Sequence, residues 1–259
     1  MDAGPHASPD AGPFASPDPS EIARLAAARA AVHARIASAC ERADRDPAGV
    51  TLVAVSKTVP ADRLRAAVAA GHDLLGENRV QEAAAKVPLV PGARWHLVGP
   101  LQANKARRAV ELFDMLEAVD SLDLARRLDR ISTEVRPGRR LPILLEVNVD
   151  ADPGKAGFTP AAVTDALPAL LTLAGLDVRG LMTIGRLGAT PEMARSTFRR
   201  LRALAVALRA GNTALGPELS MGMSDDFEVA IGEGATIVRV GRALFGERRV
   251  ADEPARAAR

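Results

Sequence analysis

Lysine is scarce in this chain, and one of the few lysines ends an apolar strand. Of 34 basic residues only Lys57, Lys86, Lys105 and Lys155 are lysine; the others are arginine. Lys57 closes the run TLVAVSK and, on strand alternation, shares a face with Val53 and Val55, the face that would point into a barrel. An ammonium there is costly unless its pKa falls or the amine becomes covalently bonded, and an imine removes the charge. The competing reading is a strand-end lysine reaching solvent, or one paired with an acid such as Glu77. Arg239, in TIVRVG, shares its face with Ile237 and Gly241. A guanidinium on an inward face needs an acceptor, supplied by a ligand or by a carboxylate such as Glu146. The segment SMGMS (Ser220, Met221, Gly222, Met223, Ser224), with Gly241, offers hydroxyls and backbone N–H groups suited to an anion. Its alternative is a turn leading to a helix capped by Ser224.

These residues need a scaffold, and the rest of the chain describes one. The chain has 259 residues, 47% hydrophobic and 25% charged, the balance of a soluble globular protein with a large core. A net charge of +2 argues against a nucleic-acid-binding face. The single cysteine, Cys40, excludes an internal disulfide framework and a cysteine metal cage; it suits a reducing cytoplasm and reads as a small core residue. There is no tyrosine, so no phenol acid or base comes from this chain. Residues 1–19 contain the tandem repeat DAGPHASPD/DAGPFASPD and are expected to be a disordered tail, with a frayed end at 250–259. Nothing reads as a secretory signal or a membrane span.

Between the tails, residues 20–249 alternate apolar strands with amphipathic helices. An opening helix capped by Ser20 presents Ile22, Leu25, Ala28, Val32 and Ile36 as one stripe. Strands are expected at Leu52–Ser56, Asp73–Gly76, Trp95–Gly99, Met115–Val119, Ile143–Val149, Arg179–Ile184, Glu218–Gly222 and Ile237–Val240. Eight such strands alternating with helices imply an α/β fold: a single (β/α)8 TIM barrel with an extra N-terminal helix. An open doubly wound sheet is the rival. No dinucleotide glycine loop or phosphate-loop lysine motif supports it.

Function in a parallel barrel sits at the carboxyl ends of its strands. There the chain places Lys57, Asn78, His96, Asp120-Ser121, Asn148, Met182-Thr183, Ser220 to Ser224, Arg239 and Gly241. No carboxylate pair with glycosidase character and no metal-ligand cluster appears. Strands one, seven and eight are neighbours once a barrel closes. An aldehyde for Lys57, a phosphate for Ser224 and Gly241, and a ring nitrogen for Arg239 together describe pyridoxal 5′-phosphate.

Six segments carry a family resemblance: VAVSKTVP (Val53–Pro60), GENRVQE (Gly76–Glu82), WHLVGPLQANK (Trp95–Lys105), GLMTI (Gly180–Ile184), LSMGMSDDFEVAI (Leu219–Ile231) and VRVGRALFGER (Val238–Arg248). In this order the chain resembles the YggS/PROSC-type pyridoxal phosphate homeostasis proteins from about Leu52 to Arg248. The resemblance implies a barrel like the N-terminal domain of alanine racemase. It implies covalent attachment of pyridoxal 5′-phosphate to Lys57 as a Schiff base, with Arg239 facing the pyridine nitrogen. It also implies phosphate contacts from Ser224, Gly241 and nearby backbone including Met223, with Asn78 and Met221 lining the cofactor. The tail and residues 185–189 fall outside it, and Arg79 stands where the family often has an aromatic.

An arginine opposite the pyridine nitrogen cannot accept its proton, so the ring is a poor electron sink. The racemases this barrel resembles use lysine and a tyrosine from a second domain as their two bases; this chain has no tyrosine. The expected function is therefore cofactor homeostasis: binding pyridoxal phosphate and delivering it to apo-enzymes, as a cytoplasmic monomer. No catalytic residue is assigned, and no nucleic-acid, membrane or metal partner is expected. The alternatives are a fold-type III racemase or lyase, with His96 or a partner's group as second base, and a Schiff-base aldolase acting on a phosphorylated sugar. His96 otherwise reads as a hydrogen-bonded packing residue. Gln102, Asn104 and Lys105 read as capping or lining the helix after strand three. Lys155, in DPGKAGF near the barrel mouth, is an alternative amine for the aldehyde.

Overall fold

The computed structural model describes residues 16–185, 188 and 190–246. Residues 1–15, which hold most of the repeat, the C-terminal tail beyond residue 246 and most of the segment 186–189 lie outside the described residues; the expected tail 1–19 is cut short at its end, where Asp18 caps α1 and Pro19 opens it. Eight parallel strands close into a barrel in sequence order. They are β1 (Thr51–Val55), β2 (Leu74–Glu77), β3 (Arg94–Leu97), β4 (Met115–Val119), β5 (Leu141–Glu146), β6 (Leu176–Met182), β7 (Glu218–Ser220) and β8 (Ile237–Val240). β1 pairs with β8 to complete the cylinder, with Val53 opposite Arg239 and Ala54 opposite Val240. The surrounding helices are α1 (Pro19–Arg42), α2 (Ala61–Ala69), α3 (Val80–Lys86), α4 (Ala106–Leu112), α5 (Leu122–Val135), α6 (Pro160–Leu171), α7 (Pro191–Gly211), α8 (Phe227–Gly232) and α9 (Arg242–Phe245). The chain thus has the expected barrel with its additional N-terminal helix.

Alternation along the strands divides the apolar residues into two cores. Outward residues such as Leu75, Trp95, Leu97 and Leu145 pack beneath the helices. The inward set Val53, Leu74, Val98, Ala118, Leu144, Met182 and Ile237 draws one residue from seven successive strand positions around the barrel. Inward positions nearer the mouth are polar, and there the site forms.

Helix starts follow local capping chemistry. Ser121, Thr159 and Thr190 cap α5, α6 and α7 through their hydroxyls, with proline opening the last two helices. α1 is capped one step earlier than its sequence suggests. Asp18, not Ser20, is the cap: its side chain accepts from Ser20 N–H, and Pro19, which has no N–H to satisfy, takes the first helical position. α1 packs against α2, α8 and α9, burying Leu25, Val32, Ile36, Ala39 and Cys40. The expected helix after strand three is broken into a 3-10 turn, Ala103–Lys105, followed by α4. Gly180 is obligatory: a Cβ there would stand 2.0 Å from the Glu218 carbonyl where β6 and β7 meet.

Candidate functional site

Lys57 lies just beyond the end of β1, in a turn at the carboxyl end of the barrel, and it is exposed. Its flank is buried, with Ser56 before it and Val59 after it, but Lys57 itself is exposed and not enclosed in the barrel. Val53 is fully buried, but strand pairing stops before Lys57, and Thr58 adopts φ 65°, so strand alternation no longer fixes the placement of Lys57. The acid suggested as its partner, Glu77, is committed elsewhere. Glu77 Oε1 accepts from Lys86 Nζ at 2.8 Å and from Ser56 Oγ at 2.6 Å, behind the barrel wall. Burial pushes the Glu77 carboxyl up, opposed by the Lys86 charge. Asn78 follows β2 at the same rim, half-buried, its backbone pressed against Gly99 so closely that a Cβ on that glycine would meet Asn78 O at 2.6 Å.

Arg239 is buried inside the barrel on β8, beside β1. Its Nη1 donates to Ser220 Oγ at 2.5 Å and its Nη2 to the Thr183 carbonyl at 2.9 Å. The nearest carboxylate is Glu117, 4.0 Å away, and not Glu146, which acts on Arg239 only through its field. Glu117 closes a continuous network: Ser220 Oγ donates to its Oε2 at 2.6 Å, and His96 Nδ1 lies 2.7 Å from its Oε1. Burial opposes a charge on Glu117, yet His96, Arg239 and Ser220 together hold its carboxyl below the usual range. Glu146, which has no such set of donors, is pushed up by burial and by the Asp120 charge.

The loops after β7 and β8 come together. Gly241 N–H donates to Ser224 Oγ at 3.3 Å, and Arg239 N–H donates to the Gly222 carbonyl at 3.0 Å. Gly222, at φ 91°, admits no side chain, since a Cβ would lie 2.6 Å from that of Ala230. Ser224 does not cap the following helix. α8 starts at Phe227, and the loop is tied instead by Met223 N–H donating to Asp226 Oδ1 at 2.6 Å. Met221 is buried, whereas Met223 is exposed. A cavity of about 520 Å3 opens beside Ser224, lined also by Arg35, Asp225, Arg242 and Ala243. A second cavity, about 620 Å3, lies along α5; Asp120 and Ser121 at the end of β4 line it, but none of the seven expected cofactor-binding residues does.

All seven expected site residues thus lie on β1, β2, β7 or β8 or the loops that follow them. Ser224 and Gly241 touch directly, Arg239 is turned into the interior, and Met223 faces solvent. Lys155 donates to the Ile184 carbonyl at 3.0 Å. Glu117, Glu82 and Ser56 were not anticipated from sequence. The available signals were a lone acid within the apolar run MLEAV and the scarcity of lysine, which marks Lys86. Among the described residues no group of three His, Cys, Asp or Glu side chains could hold a metal ion. Nor is any helix there long and apolar enough to cross a membrane.

Residues 28–249 match the model of the alanine racemase N-terminal domain family. A pyridoxal phosphate homeostasis protein of Pseudomonas aeruginosa is 44% identical over 227 residues, covering 85% of this chain and 94% of that protein. One from Escherichia coli K12 is 40% identical over 228 residues, covering 85% and 94%. Among solved structures, PipY of Synechococcus elongatus PCC7942 with PLP bound superposes with TM-score 0.76 at 43% identity, covering 86% of this chain and 100% of that one. Alanine racemase of Clostridium difficile 630 shares the fold, with TM-score 0.67 at 14% identity over 89% of this chain and 58% of its own.

Proposed function

The chain belongs to the alanine racemase N-terminal domain family, among its pyridoxal phosphate homeostasis proteins, and from that membership we propose that it holds pyridoxal 5′-phosphate on Lys57 and delivers it to apo-enzymes. The observation that carries this reading is the β1–β8 pairing. It sets Lys57, the Ser224–Gly241 contact and the buried Arg239 on adjoining strands and loops. The donor set fits the cofactor: an exposed primary amine, a hydroxyl and a backbone N–H for an anion, and an interior guanidinium. When bound, the cofactor would supply an aldehyde carbon, an electrophile for which the Lys57 amine is the matching nucleophile.

The remaining chemistry belongs to the chain's own residues. Ser224 Oγ and Gly241 N–H would hold the phosphate end, and Asn78 and Met221 would line the ring, with Met223 at the edge of the loop. Arg239 presents donors only, so it would keep a facing ring nitrogen unprotonated. Glu117 and Ser220 keep that guanidinium charged and oriented. With no protonated ring nitrogen and no tyrosine to serve as a second base, the site retains the cofactor and does not turn over amino acids robustly. The proposed setting is the cytoplasm, in keeping with a single cysteine, Cys40, that is buried and free. A monomer is in keeping with the few exposed large apolar side chains among the described residues: Leu89 and Met223 lie in different connections, and Met193 and Val206 lie 13 residues apart on α7.

The test is the visible spectrum of protein purified with pyridoxal phosphate. An absorption band from the covalent adduct, lost in Lys57→Ala, is expected; a colourless protein with unmodified Lys57 would overturn the reading. A second reading, a racemase or lyase, draws on the His96–Glu117 pair, which orients an imidazole in the barrel. Deuterium exchange at the α-carbon of alanine separates the two, because rapid exchange dependent on Lys57 would establish turnover.

A further inference from the structure

The turn that carries Lys57 is gripped on both sides by one helix. Lys86, the last residue of α3, is buried, and its Nζ reaches three acceptors: the Ser56 carbonyl at 2.9 Å, Glu77 Oε1 at 2.8 Å and Glu82 Oε1 at 2.6 Å. Glu82, one helical turn before Lys86, also accepts from Thr58 N–H at 2.6 Å. The residue before Lys57 is therefore held by Lys86 and the residue after it by Glu82. Ser56 is tied a second time, through its hydroxyl, to Glu77. Thr58 sits at φ 65°, a conformation that β-branched residues rarely adopt and that persists only when the surroundings impose it.

The choice of lysine supports a positional role. Where the chain needs a cation it otherwise uses arginine, with four exceptions among 34 basic residues. Three acceptors converging on one point suit a compact ammonium with three donors, not a planar fork. A buried ion pair is also a poor source of net stability, because desolvating both charges offsets their attraction.

We propose that Glu82 and Lys86 are positioning residues for Lys57, holding its turn so that the amine stays at the barrel mouth where the aldehyde is captured. This rests on the reading of Lys57 as the cofactor anchor.

The test uses the full chain titrated with pyridoxal phosphate, followed by borohydride reduction and peptide mapping to show which lysine is labelled. Glu82→Ala removes the acceptor for Thr58 N–H; it is expected to weaken binding on the order of tenfold and to spread label from Lys57 to Lys105 and Lys155. Glu82→Gln keeps an acceptor oxygen and is expected to restore most of the affinity and the labelling pattern. A folded Glu82→Ala protein with unchanged affinity and label confined to Lys57 would overturn the proposal. Should Glu82→Ala fail to fold, Lys86→Arg decides: it keeps the charge but not the three-point geometry, and wild-type affinity and labelling would overturn the proposal. Absence of label on Lys57 in the unmodified protein would instead defeat the reading of Lys57 itself.

Discussion

The two ends of the site are built on opposite principles. Inside the barrel, Arg239, Ser220, Glu117 and His96 are buried and bonded to one another, so each charge has a fixed neighbour of opposite sign or a dipole aimed at it. At the mouth, Lys57 is exposed, and the residues on either side of it are tied to α3. A group that must bond a ligand has to stay accessible, so its order comes from its backbone. A group that must stay charged in a dry interior has to be saturated by its neighbours.

Removing one member of each set tests the contrast. The largest effect is expected in the interior: Glu117→Ala leaves Arg239 and His96 without their carboxylate, costing about 3–5 kcal/mol in urea unfolding. A loss under 1 kcal/mol would mean that the interior network is as tolerant as the mouth.

The second expected effect concerns acid. Because the folded-state pKa of Glu117 lies below its ordinary value of 4.5, its stabilisation is complete above that pH and is lost as the pH falls through the lowered folded value. Buried Glu77 and Glu146, pushed up, act in the opposite sense, their unfavourable ionisation being relieved on acidification. Glu117→Gln should therefore flatten the loss of stability below about pH 5, whatever its effect at neutrality. An unchanged acid limb would show that Glu117 does not carry it.

At the mouth, Thr58→Gly removes a Cβ from a left-handed residue and should stabilise the unliganded fold by about 1 kcal/mol. Destabilisation instead would show that the turn is held by the threonine side chain and not by its backbone. The smallest effect belongs to a surface control. Hydrogen bonding from Arg24, aided by Arg63 and opposed by slight burial, lowers the Glu21 carboxyl to about 2. Glu21→Gln should cost less than about 1 kcal/mol near neutral pH, falling further in high salt, because exposed pairs are screened.

Much of this was legible in the residues. Periodicity located all eight strands, and their carboxyl ends yielded Lys57, Arg239, Ser224 and Gly241. Partners were less legible. Glu117 reaches Ser220 across 103 positions of sequence, and only closure of the barrel brings the two strands' side chains together. Glu146 was an equally reasonable partner for Arg239 from the sequence, since both carboxylates lie on strands that face the lumen. The exposure of Lys57 was hidden as well, because strand alternation says nothing once pairing stops, and a positive φ at threonine has no compositional signal.

By itself the sequence determined which elements form, their order around the barrel and which residue types stand at its mouth, because these follow from hydrophobic period, capping residues and the short connections between strands. The tertiary structure alone decided which carboxylate neighbours Arg239 and which helix grips the lysine turn. Those outcomes depend on distances between strands and helices that only closure and packing set.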